Sequence, residues 1–436
     1  MEPTQKAKRQ NGFSAKGNRM KGEQTIWETT PLRLLCLETT TIDPTKTPDK
    51  VFEYVDVSSV SNGLWKIVNS TQHTGATAPS RARKLVRAED VIFATVRPTL
   101  KRVALVPQDL DGQVVSTAFC VLRADRLKAD PRFIYYSLLT EDFINQVSNL
   151  ERGASYPAVT DNDVLGQEIV VPLLTEQRAI AAVLSKIQAA AEVQEKIVTV
   201  LQELKAATMA KLFREGLRGG PLKQTEIGEI PERWDVRQLR GITEVITKGS
   251  SPNWQGFEYC ENGVLFIRSQ NIGLGELLLS EIVRLPEKFN LKERRSILSP
   301  GDLLINIVGA SIGRAAVADE RLNRANINQA VALVRVRSGY NPFFFMHFLI
   351  TRGGLDQMHR QKKEIARANL SLEDVGSFLV PVPLREEQDQ IADSLESASE
   401  RIRAAERKCD SLKGLFSSTL HLLMTGQVRV TGNGFA

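Results

Sequence analysis

The sequence predicts an α/β (α+β) tandem repeat: two globular units, each followed by a long helix, with the two helices pairing as an antiparallel coiled coil. Three observations lead there. Val171-Pro172-Leu173 with Glu176-Gln177 and Ile180-Ala181 returns 211 residues later as Val382-Pro383-Leu384 with Glu387-Gln388 and Ile391-Ala392. Behind each copy runs a proline-free segment whose apolar residues recur at helical fours and threes. Ahead of each lie short β-branched and aromatic runs of strand character. At 436 residues and 42% hydrophobic, the chain can bury more than one core.

Taken in order, residues 1–25 read as a disordered basic tail. Lys6, Lys8, Arg9, Lys16, Arg19 and Lys21 against Glu2 and Glu23 hold +4 of the net +6, so basicity alone is weak support for nucleic-acid binding. The first unit spans 26–174, with strands at Val51–Val57 and Asp90–Phe93 and a helix start at Asp130-Pro131, an N-cap residue before proline. Its helix, 175–215, carries a seam of Ile180, Leu184, Ile187, Val198, Leu201 and Leu212, interrupted by Gln194 and Lys205. Gly216, Gly219, Gly220 and Pro221 end it and open a linker, 216–233.

The second unit, 234–385, repeats the pattern with strands at Asp302–Ile305 and Ala330–Val336 and a capped start at Asn341-Pro342. Its helix, 386–425, carries Ile391, Leu395, Ile402, Leu412, Phe416 and Leu423, and a tail, 426–436, follows. Shifts of 211 or 212 also pair Asp163 with Asp374, Asp90 with Asp302, Arg102 with Arg314 and Arg123 with Arg335. Matching seams favour helices packed on each other, and a segment of about 33 residues is about 50 Å long. The copies part at one step. Thr99-Leu100-Lys101 stands where the second has Ser311-Ile312-Gly313, which predicts a different loop there.

Catalytic signatures are missing. Gly12 and Gly17 have phosphate-loop spacing but lead to Asn18 instead of Lys, and four histidines show no metal-ligand spacing. Glu203-x-Lys205 lies on the helix seam with no partnering Asp, and Gly273-x-Gly275 is too short for a cofactor loop. Asn341-Pro342-Phe343-Phe344 looks like the catalytic loop of amino-group DNA methyltransferases, but its counterpart Asp130-Pro131-Arg132-Phe133 marks both as helix starts. Four scattered cysteines, the absence of a signal-like start and the absence of a long apolar stretch predict a soluble cytoplasmic protein without metal or disulfides.

What remains is binding. DNA readers need Arg and Lys for phosphates, with Arg, Asn, Gln and Ser for base edges. The first unit offers Arg81, Arg83, Lys84, Arg97, Lys101 and Arg102; the second offers Lys248, Ser250, Arg268, Gln270, Arg314, Asn328, Lys362, Lys363 and Arg367. A non-catalytic coiled-coil adaptor without DNA specificity is the alternative, and a free-standing methyltransferase or nuclease a weaker one.

Ile227-Gly228-Glu229-Ile230-Pro231-Glu232-Arg233-Trp234, the two Pro-Leu-to-Ile phrases, and Phe52–Ser59 with Ala78–Arg83 resemble the specificity subunit of type I restriction-modification systems. The resemblance runs from Trp27 to Gln427, although the first unit has only Ile26-Trp27 in place of the full opening. It implies two target recognition domains, each reading one half of a bipartite asymmetric DNA site, with the helices as spacer. It further implies a chain that is not itself an enzyme and holds no cofactor. Its partners would be two adenine-N6 methyltransferase subunits and two restriction (translocase-nuclease) subunits, which use S-adenosylmethionine, ATP and Mg2+. No membrane partner is implied.

Overall fold

The computed structural model describes residues 27–364 and 369–430, with backbone alone for 361–364. The basic tail read from the sequence lies outside the described residues. The chain forms two compact units, Met1–Glu192 with Ser411–Ala436, and Val193–Asp410. Each unit therefore takes part of both long helices, Leu174–Glu215 and Arg385–Met424, where the sequence pattern assigns one helix to each.

In unit 1, two four-stranded sheets form the globule. One has the order Thr71–Thr74, Val51–Val55, Val114–Ser116, Ala82–Leu85; the other has Cys36–Leu37, Phe119–Ala124, Val91–Ala94, Val103–Leu105. The Val91–Ala94 strand is buried at every position, as expected where both faces of a strand are covered. One face packs with helices Pro131–Ser137 and Glu141–Ser148 around Phe93, Phe133 and Phe143, and the same core holds Ile180, Leu184, Phe416, Leu420 and Leu423 from the long helices. Ile92, Ala94 and Val121 face a second cluster with Val55 and Val115.

Unit 2 repeats most of this scaffold. Its sheets have the orders Thr243–Lys248, Val331–Val336, Leu303–Asn306, Ala315–Val317 and Val283–Leu285, Val264–Ile267, Asn326–Ile327. The registers match: Leu122↔Val91 becomes Val334↔Leu303, Val91↔Leu105 becomes Leu303↔Val317, and the parallel pair Val114↔Tyr54 becomes Asn326↔Phe266. In each case both partners move by 212. The Ala82–Leu85 strand has no such partner, since Arg294–Ser296 at that place is a 3-10 turn.

Conserved polar contacts explain the repeated residues. Arg123 donates to Asp90 at 2.9 and 2.7 Å, and Arg335 to Asp302 at 2.7 Å twice, a bidentate pair in each unit. Asp130 and Asn341 cap their helices by accepting from the backbone N–H groups two and three residues on, so the methyltransferase-like phrase is a capped helix start. Gln177 bonds Asp130 N–H and Pro172 C=O, while Gln388 bonds Asn341 N–H and Pro383 C=O.

The missing opening of the first unit is supplied from elsewhere. Trp234 donates its indole N–H to Glu387 at 3.0 Å, and Arg233 donates to the same carboxylate at 2.6 Å. In unit 1, Trp27 donates to Glu176 at 3.1 Å, and the guanidinium comes from Arg429 at 2.6 and 2.7 Å. Each tryptophan also lies against a left-handed glycine beyond a long helix, Gly216 (φ +64°) or Gly426 (φ +71°), where a Cβ would come within 3.1 or 3.3 Å of the ring. Trp27 is thus the functional start of the first unit. The stretch read as a linker is partly a hairpin, Leu222–Thr225 with Gly228–Pro231, turned through Gly228 at φ +105°.

The long helices run antiparallel. In unit 2, Gln194 donates to Ala405 C=O at 3.1 Å and Lys205 to Ser399 Oγ at 2.7 Å, so the contact descends the second helix as it climbs the first. The two polar breaks in the seam are therefore satisfied cross-helix bonds, which fix register at some cost in stability. Of the seam residues, Ile180, Leu184, Ile391, Leu395, Ile402, Phe416 and Leu423 are buried, and Ile187, Val198, Leu201, Leu212 and Leu412 half-buried. No helix of the described residues is long and apolar enough to cross a membrane.

Candidate nucleic-acid interface

The candidate DNA-facing residues divide by how their charges are already used. Arg102 donates to the carbonyls of Val57 and Val60, which ties its guanidinium into the unit 1 globule. Lys84 is paired with Asp161 and donates to Phe119 C=O at 2.6 Å. Arg83 donates to Ala82 C=O at 2.9 Å and lies 3.7 Å from Asp43. Arg81 and Arg97 are exposed, and Lys101 is half-buried beside Glu141. Within the dense Arg-Ala-Arg-Lys run, Arg81, just ahead of the strand Ala82–Leu85, is thus left open while Arg83 and Lys84 are tied into the fold.

In unit 2, Lys248, Gln270 and Arg314 are exposed and Ser250 is half-buried. Arg268 donates to Glu281 C=O at 3.0 Å and lies 5.9 Å over the Tyr259 ring, while Asn328 accepts from Ala330 N–H at 3.1 Å. Lys362 and Lys363 fall near the end of the helix Arg352–Glu364, where only the backbone is described, and Arg367 lies outside the described residues.

Two exposed aromatic residues lie outside the polar and charged types that the sequence offers for DNA contact. Tyr156 is 72% exposed and Trp254 is 93% exposed. Their signal was a large aromatic set among turn residues, in Gly153-Ala-Ser-Tyr156-Pro157 and Ser251-Pro-Asn-Trp254-Gln-Gly256.

The loop expected to differ between copies does differ: its 3-10 turn is Pro98–Leu100 in unit 1 but Gly309–Ser311, one place earlier, in unit 2, so Ile312 is extended (ψ 133°) where Leu100 is in the turn, while the two left-handed places are shared. Arg97 and Lys101 have φ +49° and +51°, and the matching Gly309 and Gly313 have φ +69° and +94°. Both loops turn left-handed at the same two places. Glycine adopts this freely, whereas Arg and Lys do so under strain.

A further face belongs to the first long helix. Val193, Ile197, Val200 and Leu204 follow a 4-3-4 spacing and are 42–60% exposed, on a side that the seam does not use. At the matching positions the second long helix carries Ala404, Lys408, Ser411 and Leu415.

Comparison with known proteins gives one consistent result. The family model described as "Type I restriction modification DNA specificity domain" matches residues 37–206 and 231–413. The type I restriction enzyme MjaVIII specificity subunit of Methanocaldococcus jannaschii is 26% identical, over 74% of this chain and 76% of its own. A chain from a structure on complex assembly and conformational transition of the type I R-M system is 29% identical, with a TM-score of 0.56, covering 93% of this chain and 99% of that one. The type I restriction-modification S subunit from M. genitalium, 17% identical, shares the fold with a TM-score of 0.60 over 93% of this chain and 98% of its own.

Proposed function

Since this chain belongs to the family of type I restriction-modification DNA specificity proteins, we propose that it reads a bipartite, asymmetric DNA site and scaffolds the subunits that modify and cut DNA. The observation that carries this reading is the duplication. Two units keep one strand register but differ in the residues they expose, Arg81, Arg97 and Tyr156 in one against Lys248, Gln270 and Arg314 in the other. One scaffold with two different surfaces is what two unlike half-sites require.

The chain contributes no chemistry of its own in this reading. Two methyltransferase subunits bring S-adenosylmethionine, and two restriction subunits bring ATP and Mg2+, in the cytoplasm. The apolar row from Val193 to Leu204 serves as a docking face for a methyltransferase helix, because a 4-3-4 row of large side chains accepts the knobs of another helix. The paired long helices set the separation of the half-sites.

Mapping N6-methyladenine in cells that carry the methyltransferase, with and without this chain, tests the proposal. A split motif that vanishes with the chain is the expected result. Methylation that does not depend on the chain, with the methyltransferase expressed and soluble, overturns it in favour of the adaptor.

A further inference from the structure

We propose that Arg97 and Tyr156 form the grip by which unit 1 holds the DNA backbone, the guanidinium on a phosphate and the ring against the adjoining sugar and base edge. This rests on the DNA-reading function proposed above. Arg97 is exposed, with its guanidinium carbon 5.1 Å over the Tyr156 ring. Its only side-chain hydrogen bond in the described residues is a long one, 3.5 Å to Ser155 C=O, so the cation has donors to spare.

The backbone adds an independent argument. Among the described residues five non-glycine positions have positive φ, and Arg97 alone of them precedes a proline. A left-handed residue before proline is doubly disfavoured, by its own Cβ and by the proline ring. The matching position in unit 2 is Gly309, which shows that the fold accepts glycine there without strain. Strain held at an exposed cation, where glycine stands left-handed at the matching place, marks a residue kept for what it binds. The turn is braced for that purpose: Arg97 N–H donates to Pro157 C=O at 2.7 Å, and Val96 bridges Ala158, so the loop bearing the cation and the loop bearing the ring move together.

DNA is the partner this chemistry fits. An unpaired planar guanidinium next to an exposed aromatic face matches a phosphate beside a sugar and base. Unit 2, with Gly309 and Gly313 in the same loop, has no cation at these two places, so the grip belongs to one half-site.

The experiment uses the full chain co-expressed with its methyltransferase subunit and a pool of random-sequence 40-bp duplexes, with anisotropy followed across a salt series. Arg97→Gly should melt at the same temperature or higher, bind roughly tenfold more weakly at low salt, and lower the log–log salt slope by about 0.9. Arg97→Lys should restore the slope. Lys101→Gly relieves the same strain while removing a cation already matched by Glu141, and should weaken binding by less than half as much as Arg97→Gly. Tyr156→Ala should weaken binding and Tyr156→Phe should not. An unchanged slope in Arg97→Gly overturns the grip, and equal losses in Arg97→Gly and Lys101→Gly overturn it in favour of loop shape. Wild-type complex that binds no duplex overturns the DNA-reading function itself, and the grip with it.

Discussion

Glu387 shows how much can hang on one carboxylate. It is almost fully buried and accepts from Arg233, Trp234 and the backbone N–H of Leu217. Burial pushes its pKa up, but these donors together outweigh that and hold the group below the usual value of 4.5. A depressed carboxyl contributes stability that is fully present above the unfolded value and is lost as the pH falls through the folded one. Glu387→Ala leaves Arg233 and Trp234 facing a dry site and should cost about 3 kcal/mol. Glu176→Ala should cost less, because Glu176 is itself more open to water than Glu387, 11% exposed against 5%. Thermal melts of both variants from pH 7 to pH 4 check this. The wild-type advantage over Glu387→Ala should shrink below about pH 4.5, and a constant difference across that range would mean that packing, not charge, is at stake.

Among elements, the first long helix carries two apolar faces, one packed in the seam and one exposed. The seam is buried or half-buried in the fold and was legible in the sequence, because repeated 4-3 spacing survives in both copies. Its polar breaks could be seen but not explained, since nothing local reveals that Gln194 faces Ala405 or Lys205 faces Ser399. The second face, Val193 to Leu204, was overlooked because a helix with two apolar rows reads from sequence as a broad single one. Its exposure predicts a clean separation of effects. Val200→Asp with Leu204→Asp should leave the melting temperature within a degree or two while abolishing co-purification of the methyltransferase, since surface charges change stability little. Ile402→Asp, placing a charge in the buried seam, should lower the melt strongly. A melt as depressed in the double variant as in Ile402→Asp would show the row to be part of the fold.

For the molecule as a whole, the duplication was legible where it involves the helix entry and not where it involves the sheets. Capping, the Glu-Gln entry and the bidentate Asp–Arg pairs each demand particular side chains, so Asp90 and Asp302 or Gln177 and Gln388 stand out. Strand register asks only for apolar alternation, which many residues satisfy, so Phe119 and Val331 can occupy one place without looking alike. Nor did order along the chain reveal that unit 1 is completed by its last residues. Phe416, Leu420, Leu423 and Met424 lie in the same core as Phe133 and Phe143, Phe416 stacks on Trp65 at 5.0 Å, and Arg429 closes on Glu176. Ending the chain after Asp410 removes all of these while leaving every residue of unit 2 present. Burying a large apolar side chain is worth about 2 kcal/mol, and a single such core loses several at once. Hydrogen exchange on the truncated chain should therefore accelerate in Pro131–Ser137 and Glu141–Ser148, over 250 residues from the cut, with Pro342–Leu349 in unit 2 still protected. Exchange that rises only beside residue 410 would instead show that unit 1 is stable without the end of the second helix. The compact units would then follow the order of the sequence after all.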